Sequence, residues 1–182
     1  MKVNPGEDTP DVSFTQIAPR DLLKDKEALG QFVALFGEFD DAEIAYYKKL
    51  HWHWNKCTEK EIVDNLRNKT KKLFLAKIGE EIVGFATIWA SKEIDGIDCI
   101  AQLAVASKHR NRKIGRGLLQ FIFDNVENDL CLRVIATNDA AKHLYASMGF
   151  RTISHFMWRE HKKHTKPRST TTKHRAPWWR IR

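Results

Sequence analysis

One stretch of this chain, residues 103–119, restricts the fold more than any other. An apolar run over 97–105 leads into a strongly basic turn, and apolar residues return at helical spacing from Ile114 onward. The turn therefore joins a strand to a helix, and Gly115 and Gly117 allow a close approach of the backbone to whatever packs there. The basic residues of the turn are Arg110, Arg112, Lys113 and Arg116.

A basic turn between a strand and a helix is suited to binding anions. The first turn of a helix has N–H groups without intrahelical partners, and the helix dipole makes that end positive. N–H groups of a glycine-containing turn converge on a space that suits phosphate, so the expected ligand carries a di- or polyphosphate. The competing interpretation is a solvated basic turn with two incidental glycines, because short glycine motifs have many false positives.

A second motif, over residues 138–150, makes the ligand interpretation stronger. Together the two stretches resemble the two central motifs of the GNAT superfamily of acyl-CoA N-acyltransferases. The first family motif is Leu-x-Val followed by a loop of the form Arg/Gln-x-x-Gly-x-Gly/Ala that opens a helix. The resemblance extends over roughly residues 14–160. The second motif is matched at Asn138, Ala141, Leu144, Tyr145, Gly149 and Phe150.

The first motif departs from the family pattern at one position. Counted from Val105 without gaps, the family's arginine falls on Arg110, its second glycine on Gly115 and its first glycine on Lys113. A register shifted by two residues restores the glycine formally, but it lengthens the loop, so we prefer the ungapped register. Lys113 then lies in the phosphate loop, where either its ammonium helps to hold pyrophosphate or its Cβ loosens the turn.

The resemblance implies an α/β (α+β) fold of the GNAT type. Its mixed central sheet of about six or seven strands contains a splayed parallel pair and is flanked by about four helices. The hydrophobic pattern predicts a helix from Pro19 to Phe36, a break over 37–41 and a short amphipathic piece over 42–50. Thr58 and Glu61 form a capping box before another helix. Strands are predicted over 12–17, 72–78, 81–90, 97–106, 130–136 and 150–159, and the two remaining helices over 114–128 and from Asn138.

The resemblance also implies acetyl-CoA as the co-substrate, bound in the cleft between strands 97–106 and 130–136. The pantetheine arm would pair with backbone groups of the first strand, as an added strand does. The pyrophosphate would lie on the basic loop, and a backbone N–H near Leu103 or Val105 would stabilise the tetrahedral intermediate. The predicted cofactor-binding residues are Leu103, Ala104, Val105, Arg110, Asn111, Arg112, Lys113, Ile114, Gly115, Arg116 and Asn138.

Tyr145 is the predicted general acid, because the family motif implies a tyrosine hydroxyl at the CoA sulfur. A phenol with a pKa of about 10 can supply the proton that the leaving thiolate needs. The alternative is that Tyr145 only packs in the core. Asn138 either contacts pantetheine or caps the helix that follows it.

The general base is left open by the sequence. The strand before the basic loop carries Cys99 and Gln102 where some family members carry a carboxylate. The unusual segment His51, Trp52, His53 and Trp54 lies on the predicted acceptor side, and either histidine is a candidate base. The alternatives are an aromatic loop packed on the sheet, or a metal site with Cys57. The spacing matches no common zinc pattern, so we predict no metal.

Composition limits the class of protein further. Lysine and arginine exceed aspartate and glutamate by 31 − 23 = +8, and residues 162–182 hold eight of the basic residues and no acid. We expect a disordered N-terminus (1–11), one acetyltransferase domain (12–161) and a flexible basic tail (162–182). The three cysteines form no close pair in the sequence and are expected to be reduced and mostly buried. No apolar run is long enough for a transmembrane helix, and nothing resembles a signal peptide, so we expect a cytoplasmic protein.

The sequence therefore predicts an N-acetyltransferase that transfers an acetyl group from acetyl-CoA to a primary amine of a small molecule or protein by direct attack. The alternative is a non-catalytic acyl-CoA-binding module whose tail binds nucleic acid. A tail contact with nucleic acid or an anionic surface, and a homodimer, are compatible with either function. The identity of the acceptor amine is open.

Overall fold

The computed structural model describes residues 11–49, 55–68, 71–90 and 96–155. Within them, five strands form one sheet in sequence order, antiparallel except for the last pair. The strands are β1 (Val12–Ile17), β2 (Lys71–Ile78), β3 (Glu81–Ala90), β4 (Ile97–Val105) and β5 (Asp129–Leu132). The helices are α1 (Lys26–Lys49), α2 (Glu59–Leu66), α3 (Ile114–Asn125) and α4 (Asp139–Ser147), with a 3-10 segment over Pro19–Lys24.

The two faces of the sheet bury two apolar clusters. On the face covered by α1 and α2, the rings of Phe32 and Phe36 pack on Phe85 of β3, with centroids 4.9 and 5.7 Å apart. On the opposite face, α3 buries Leu118 and Ile122 completely against the sheet. The sheet is thus a middle layer, and any site at its parallel edge has helices on both sides.

Most of the predicted elements of the central part are confirmed. The hairpin of β2 and β3 turns at Gly79, whose φ is 57°. The capping box of α2 is present: the N–H of Glu61 donates to the hydroxyl of Thr58, and the carboxylate of Glu61 accepts from the N–H of Thr58. The N-terminus up to residue 10, the segment 51–54 and the basic tail lie outside the described residues. No helix in the described ranges is both long and apolar enough to cross a membrane.

The predicted break over 37–41 is wrong, because α1 continues through it. A glycine and three acidic residues weaken a helix when only local propensity acts. Here each carboxylate has a tertiary partner, which compensates for that weakness. These contacts join Glu38 to the N–H of Ser107 (2.8 Å), Asp40 to the N–H of Cys57 (2.6 Å) and Asp41 to the ammonium of Lys56 (2.7 Å). As a result, the amphipathic piece 42–49 is the last part of a 24-residue helix.

The end of the chain's described part also differs from the prediction. Instead of about six or seven strands, the described residues contain five, and 150–155 is not a strand. The side chain of Ile153 is 91% exposed there, so this segment covers no sheet edge. Residues 156–159 of the predicted final strand lie outside the described ranges. β5 ends at Leu132 rather than at residue 136, and it is half-buried instead of fully buried.

β5 is short, and its pairing with β4 ends next to a bulge in β4. The parallel pairing runs from Ile97 with Asp129 to Ile100 with Leu132 and then stops. At the next residue of β4, the pairing with β3 skips Ala101, so Ala101 is the extra residue of a β-bulge. A bulge bends its strand and increases the local twist. The pairing of β4 with β5 therefore ends where the bulge lies, and the predicted parallel pair is confirmed.

Candidate active site

The basic loop leaves β4 and enters α3 through two left-handed residues. Asn111 has a φ of 63° and Lys113 a φ of 61°, and Lys113 is the N-cap of α3 without a side-chain cap bond. Glycine adopts this conformation freely, whereas lysine does so at a cost. The backbone at Lys113 therefore has the conformation that suits a glycine, which favours the ungapped alignment of the first motif.

The basic side chains of this loop have different surroundings. The Nε of Arg110 donates to the carbonyl of Val105, 3.2 Å away, so Arg110 folds back over the end of β4. Arg116 donates to Ser147 Oγ at 2.6 Å and to Met148 Sδ at 3.0 Å, which attaches α3 to the end of α4. Arg116 is thus engaged in a contact between helices, whereas Arg112 and Lys113 are exposed on the loop.

The two glycines of α3 serve the packing of the helix. A Cβ added to Gly117 would lie 2.5 Å from Cζ of Phe14, on β1. A Cβ at Gly115 would lie 3.4 Å from Cδ2 of Leu144, on α4. The sequence predicted a close approach at both positions; at Gly117 the structure shows one, to a ring of β1, whereas a Cβ at Gly115 would make an ordinary van der Waals contact with a side chain of α4.

The predicted pantetheine edge is the part of β4 beyond the bulge. Residues Leu103, Ala104 and Val105 pair with β3 on one side, and in the described part of the chain no strand pairs with their other side. Leu103 and Val105 pack toward α3, while Ala104 packs toward α1. β4 thus has an edge here that pairs with no strand of the described part, with Arg110 on the carbonyl of Val105, and α3 begins beyond it with an N-terminus that carries no side-chain cap.

Tyr145 lies on α4, whose N-cap is Asn138, and it packs in the same apolar cluster as Leu103 and Val105 of β4. Tyr145 is half-buried, and its ring meets Phe150 edge to face at 5.7 Å. Burial, and secondarily the charge of Glu43, raise the pKa of Tyr145 to about 12. The Oδ1 of Asn138 accepts from the N–H of Ala141 at 3.2 Å, so Asn138 caps α4. The capping role is therefore present, and the pantetheine contact stays a prediction.

The last two turns of α1 contribute a group of polar side chains that the sequence analysis missed. The hydroxyl of Tyr46 donates to Oδ1 of Asn138 at 3.3 Å, and Tyr47 is 7% exposed. Burial raises the pKa of Glu43 to about 7, and the charge of Glu43 acts on both Tyr47 and Tyr145. The sequence signal for this group is the amphipathic pattern over 42–50. The predicted break over 37–41 separates that pattern from α1, so the pattern alone does not show that these residues extend α1.

The positions named for a base on β4 carry no free carboxylate. The side chain of Gln102 is buried and hydrogen-bonded to the hydroxyl of Thr87. The Sγ of Cys99 lies 2.8 Å from that of Cys131, its register partner on β5. None of the three cysteines is in a disulfide, and all three have an intermediate burial. His51, Trp52, His53 and Trp54 lie outside the described residues, and in the described ranges no cluster of metal-ligating side chains occurs.

Comparison with known proteins gives this arrangement a family context. Residues 69–152 match the family profile described as an acetyltransferase (GNAT) domain. The chain is 26% identical over 113 residues to the probable N-acetyltransferase camello of Xenopus laevis. That match covers 58% of this chain and 52% of the relative, so the chain matches about half the length of that protein.

Solved structures of low identity share the fold. A ribosomal-protein-alanine N-acetyltransferase from Brucella melitensis superposes with a TM-score of 0.60 at 16% identity, covering 82% of this chain and 99% of that one. AAC(6')-Iy, solved with the bisubstrate analogue CoA-S-monomethyl-acetylneamine, superposes with a TM-score of 0.56 at 13% identity, covering 83% and 98%. The mixed sheet with its parallel pair, the strand–loop–helix motif and the profile match agree: the chain carries a GNAT acetyltransferase domain.

Proposed function

We propose that this protein transfers an acetyl group from acetyl-CoA to a primary amine by direct attack of the amine on the thioester. The observation that carries this proposal is the juxtaposition at the cleft. The edge of β4 beyond its pairing with β5, the N-terminus of α3 without a side-chain cap, and Tyr145 of α4 lie at the same end of the sheet, because Leu103, Val105, Ile114 and Tyr145 pack in one apolar cluster. These are the elements that a thioester with a pyrophosphate group requires.

Acetyl-CoA would bind along this end of the sheet. Its pantetheine amides would pair with the free edge of Leu103, Ala104 and Val105, and its pyrophosphate would accept from N–H groups at the start of α3. The exposed cations of Arg112 and Lys113 add attraction for the phosphates. In support, one protein of the same fold was solved with a CoA-containing bisubstrate analogue.

The chemistry follows from the groups at the cleft. The neutral amine attacks the thioester carbonyl, and a backbone N–H of β4 near Leu103 stabilises the resulting oxyanion. One such donor is typically worth about 3 kcal/mol of transition-state stabilisation. As the C–S bond breaks, Tyr145 supplies the proton that the CoA thiolate takes. This phenol is protonated at neutral pH, since its ordinary pKa is about 10 and burial raises the pKa of Tyr145 to about 12.

The acceptor is a primary amine of a small molecule or of a protein. Proteins of this fold include one named for a ribosomal-protein alanine and one solved with a neamine-derived analogue, so both classes occur among the structural relatives. The end of α1 carries the half-buried carboxyl group of Glu43, which suits an acceptor that arrives as a cation.

Thermal unfolding with and without millimolar acetyl-CoA tests the cofactor site. Ligand at about 100 times its dissociation constant adds roughly 2.7 kcal/mol, which shifts the midpoint by several degrees. S-acetylpantetheine, which lacks the pyrophosphate, is the matched control and should give a smaller shift. Release of CoA thiol in the presence of a panel of amines then tests transfer. Absence of both a shift and thiol release would contradict the proposal.

A further inference from the structure

The carboxyl group of Glu43, on α1, has no catalytic role in the proposed function so far. Glu43, Tyr46 and Tyr47 are three and four residues apart and therefore share one face of the helix. Tyr46 contacts Asn138, the N-cap of α4, and Tyr47 is buried. This face of α1 therefore packs beside the start of α4, the helix that carries Tyr145.

The groups around Glu43 come from three elements. From its own helix these are Tyr46 and Tyr47, and from α4 it is Tyr145; Asn138, the N-cap of α4, contacts Tyr46. The segment that follows β5 contributes the charge of Arg133, which acts on Tyr47. The half-buried carboxyl of Glu43 thus lies on the face of α1 that contacts the start of α4, near enough to Tyr47 and Tyr145 for its charge to act on both phenols.

We infer that Glu43 is the general base of the proposed transfer, taking a proton from an acceptor amine that arrives as an ammonium ion. This inference rests on the proposed function. It gives the site an acid and a base on two neighbouring helices, Tyr145 on α4 and Glu43 on α1. The acceptor class that it predicts is a primary amine that is protonated in solution.

The protons balance over one cycle. The carboxylate of Glu43 takes one proton from the ammonium, and the free amine then forms the C–N bond with the thioester carbonyl. When the C–S bond breaks, the thiolate takes the proton of Tyr145, and the phenolate recovers a proton from the acylated nitrogen. Glu43 finally releases its proton to solvent. Acetyl-CoA and an ammonium therefore give an acetamide, CoA thiol and one proton.

The titration of the carboxyl agrees with this role. Burial raises the pKa of Glu43 to about 7, so the group is both available as a carboxylate and basic enough to accept a proton near neutral pH. The other candidates on the sheet have different neighbours. Gln102 is not titratable, and Asp98 is held by Lys72 at 3.4 Å and by Asn128 at 3.3 Å on the α3 face.

The test compares Glu43→Gln with Asp41→Asn, which removes an exposed carboxylate two residues away that pairs with Lys56. The acceptors used are glycinamide, neamine and a lysine-containing peptide, with CoA thiol release as readout. For Glu43→Gln we expect kcat to fall by about 100-fold or more, and the rise of kcat through pH 7 to disappear. The shift of the unfolding midpoint with acetyl-CoA should be unchanged, and Asp41→Asn should behave as wild type.

A second readout separates a base from a structural residue. Formate should partly restore the turnover of Glu43→Ala, because a small carboxylate can enter the space of the missing side chain, and it should not restore Tyr145→Phe. If the wild type is active and Glu43→Gln keeps its turnover and pH profile within about twofold, the inference is overturned while the proposed function stands. If the wild type acetylates no amine, the proposed function fails, and the inference fails with it.

Discussion

Lys113 is the residue whose backbone is least compatible with its side chain. It holds a left-handed conformation at the N-cap of α3, which costs an L-residue roughly 1–2 kcal/mol. Lys113→Gly removes this strain but adds backbone entropy to the unfolded chain, so we expect a net gain of at most about 1 kcal/mol. Asn111→Gly is the control and should gain less, because asparagine tolerates the left-handed region.

The same variant tests whether the ammonium of Lys113 contacts the pyrophosphate. Lys113→Gly should then show a smaller stabilisation by acetyl-CoA than the wild type, although the unliganded variant is more stable. Both quantities come from thermal unfolding at matched protein concentration. An unchanged ligand-induced shift would mean that the side chain has no part in binding.

Tyr145 is expected to act in the chemical step and not in binding. Tyr145→Phe retains the ring that packs on Phe150 and removes only the hydroxyl. We expect turnover to fall at least about tenfold with little change in stability or in acetyl-CoA binding. Thiol release and calorimetric titration with acetyl-CoA measure the two effects separately. Wild-type turnover in this variant would exclude the hydroxyl from catalysis.

At the scale of elements, the contact between α3 and β1 depends on Gly117. An added Cβ would lie 2.5 Å from the ring of Phe14, so Gly117→Ala must displace either the ring or the helix. Overpacking of this kind typically costs about 1–3 kcal/mol. Gly30→Ala on α1 is the matched control: nothing lies within 4 Å of its added Cβ, and we expect a gain of up to about 1 kcal/mol. Chemical denaturation measures the free energy of unfolding of both variants. Equal changes in Gly117→Ala and Gly30→Ala would contradict the packing argument.

The pairing of β4 with β5 brings together two cysteines that are far apart in the sequence. Their sulfurs lie 2.8 Å apart, so diamide should convert the two thiols to a disulfide, the diazene bond taking up two electrons and two protons. Cys57 is expected to stay reduced, because burial raises the pKa of its thiol to about 11. Thiol titration should therefore fall from three to one, and Cys99→Ser should block the cross-link. If all three thiols still titrate after diamide treatment, the two sulfurs of Cys99 and Cys131 are not adjacent in solution.

The elements that the sequence predicted correctly are those whose signals are local. The capping box at Thr58 and Glu61, the hairpin of β2 and β3, and the strand–loop–helix of the first motif all depend on residues a few positions apart. The continuity of α1 depends instead on contacts from Glu38 and Asp40 to distant backbone N–H groups. Sequence periodicity cannot show such contacts, and for the same reason Glu43 was not placed beside Tyr145.

At the scale of the whole molecule, the excess positive charge lies in the last 21 residues of the chain. The excess of eight basic residues lies entirely in 162–182, outside the described ranges, so the rest of the chain carries no net charge. A tail that contacts nucleic acid or an anionic surface remains a prediction from composition. Electrostatics within the folded part therefore depend on individual buried groups, of which Glu43 is the clearest.

Burial of Glu43 should make the stability of the whole protein depend on pH. Its pKa is about 7 in the folded protein against 4.5 for the exposed group, so the folded state binds the proton more tightly. The stabilising contribution of the protonated form is complete below pH 4.5 and is lost as the pH rises through 7. At pH 8 the ionised carboxyl should cost on the order of 2–3 kcal/mol.

Glu43→Gln should therefore unfold at a higher temperature than the wild type at pH 8, and the difference should shrink toward pH 5. Asp41→Asn controls for removal of a charge from the same helix, and as part of an exposed ion pair it should change stability by less than about 1 kcal/mol. Thermal unfolding of the three proteins across this pH range measures the effect. A wild type at least as stable as Glu43→Gln at pH 8 would show that the carboxyl is solvated. If Glu43→Gln is more stable than the wild type at pH 8 and has also lost transfer, the carboxylate serves the chemistry at a cost in stability.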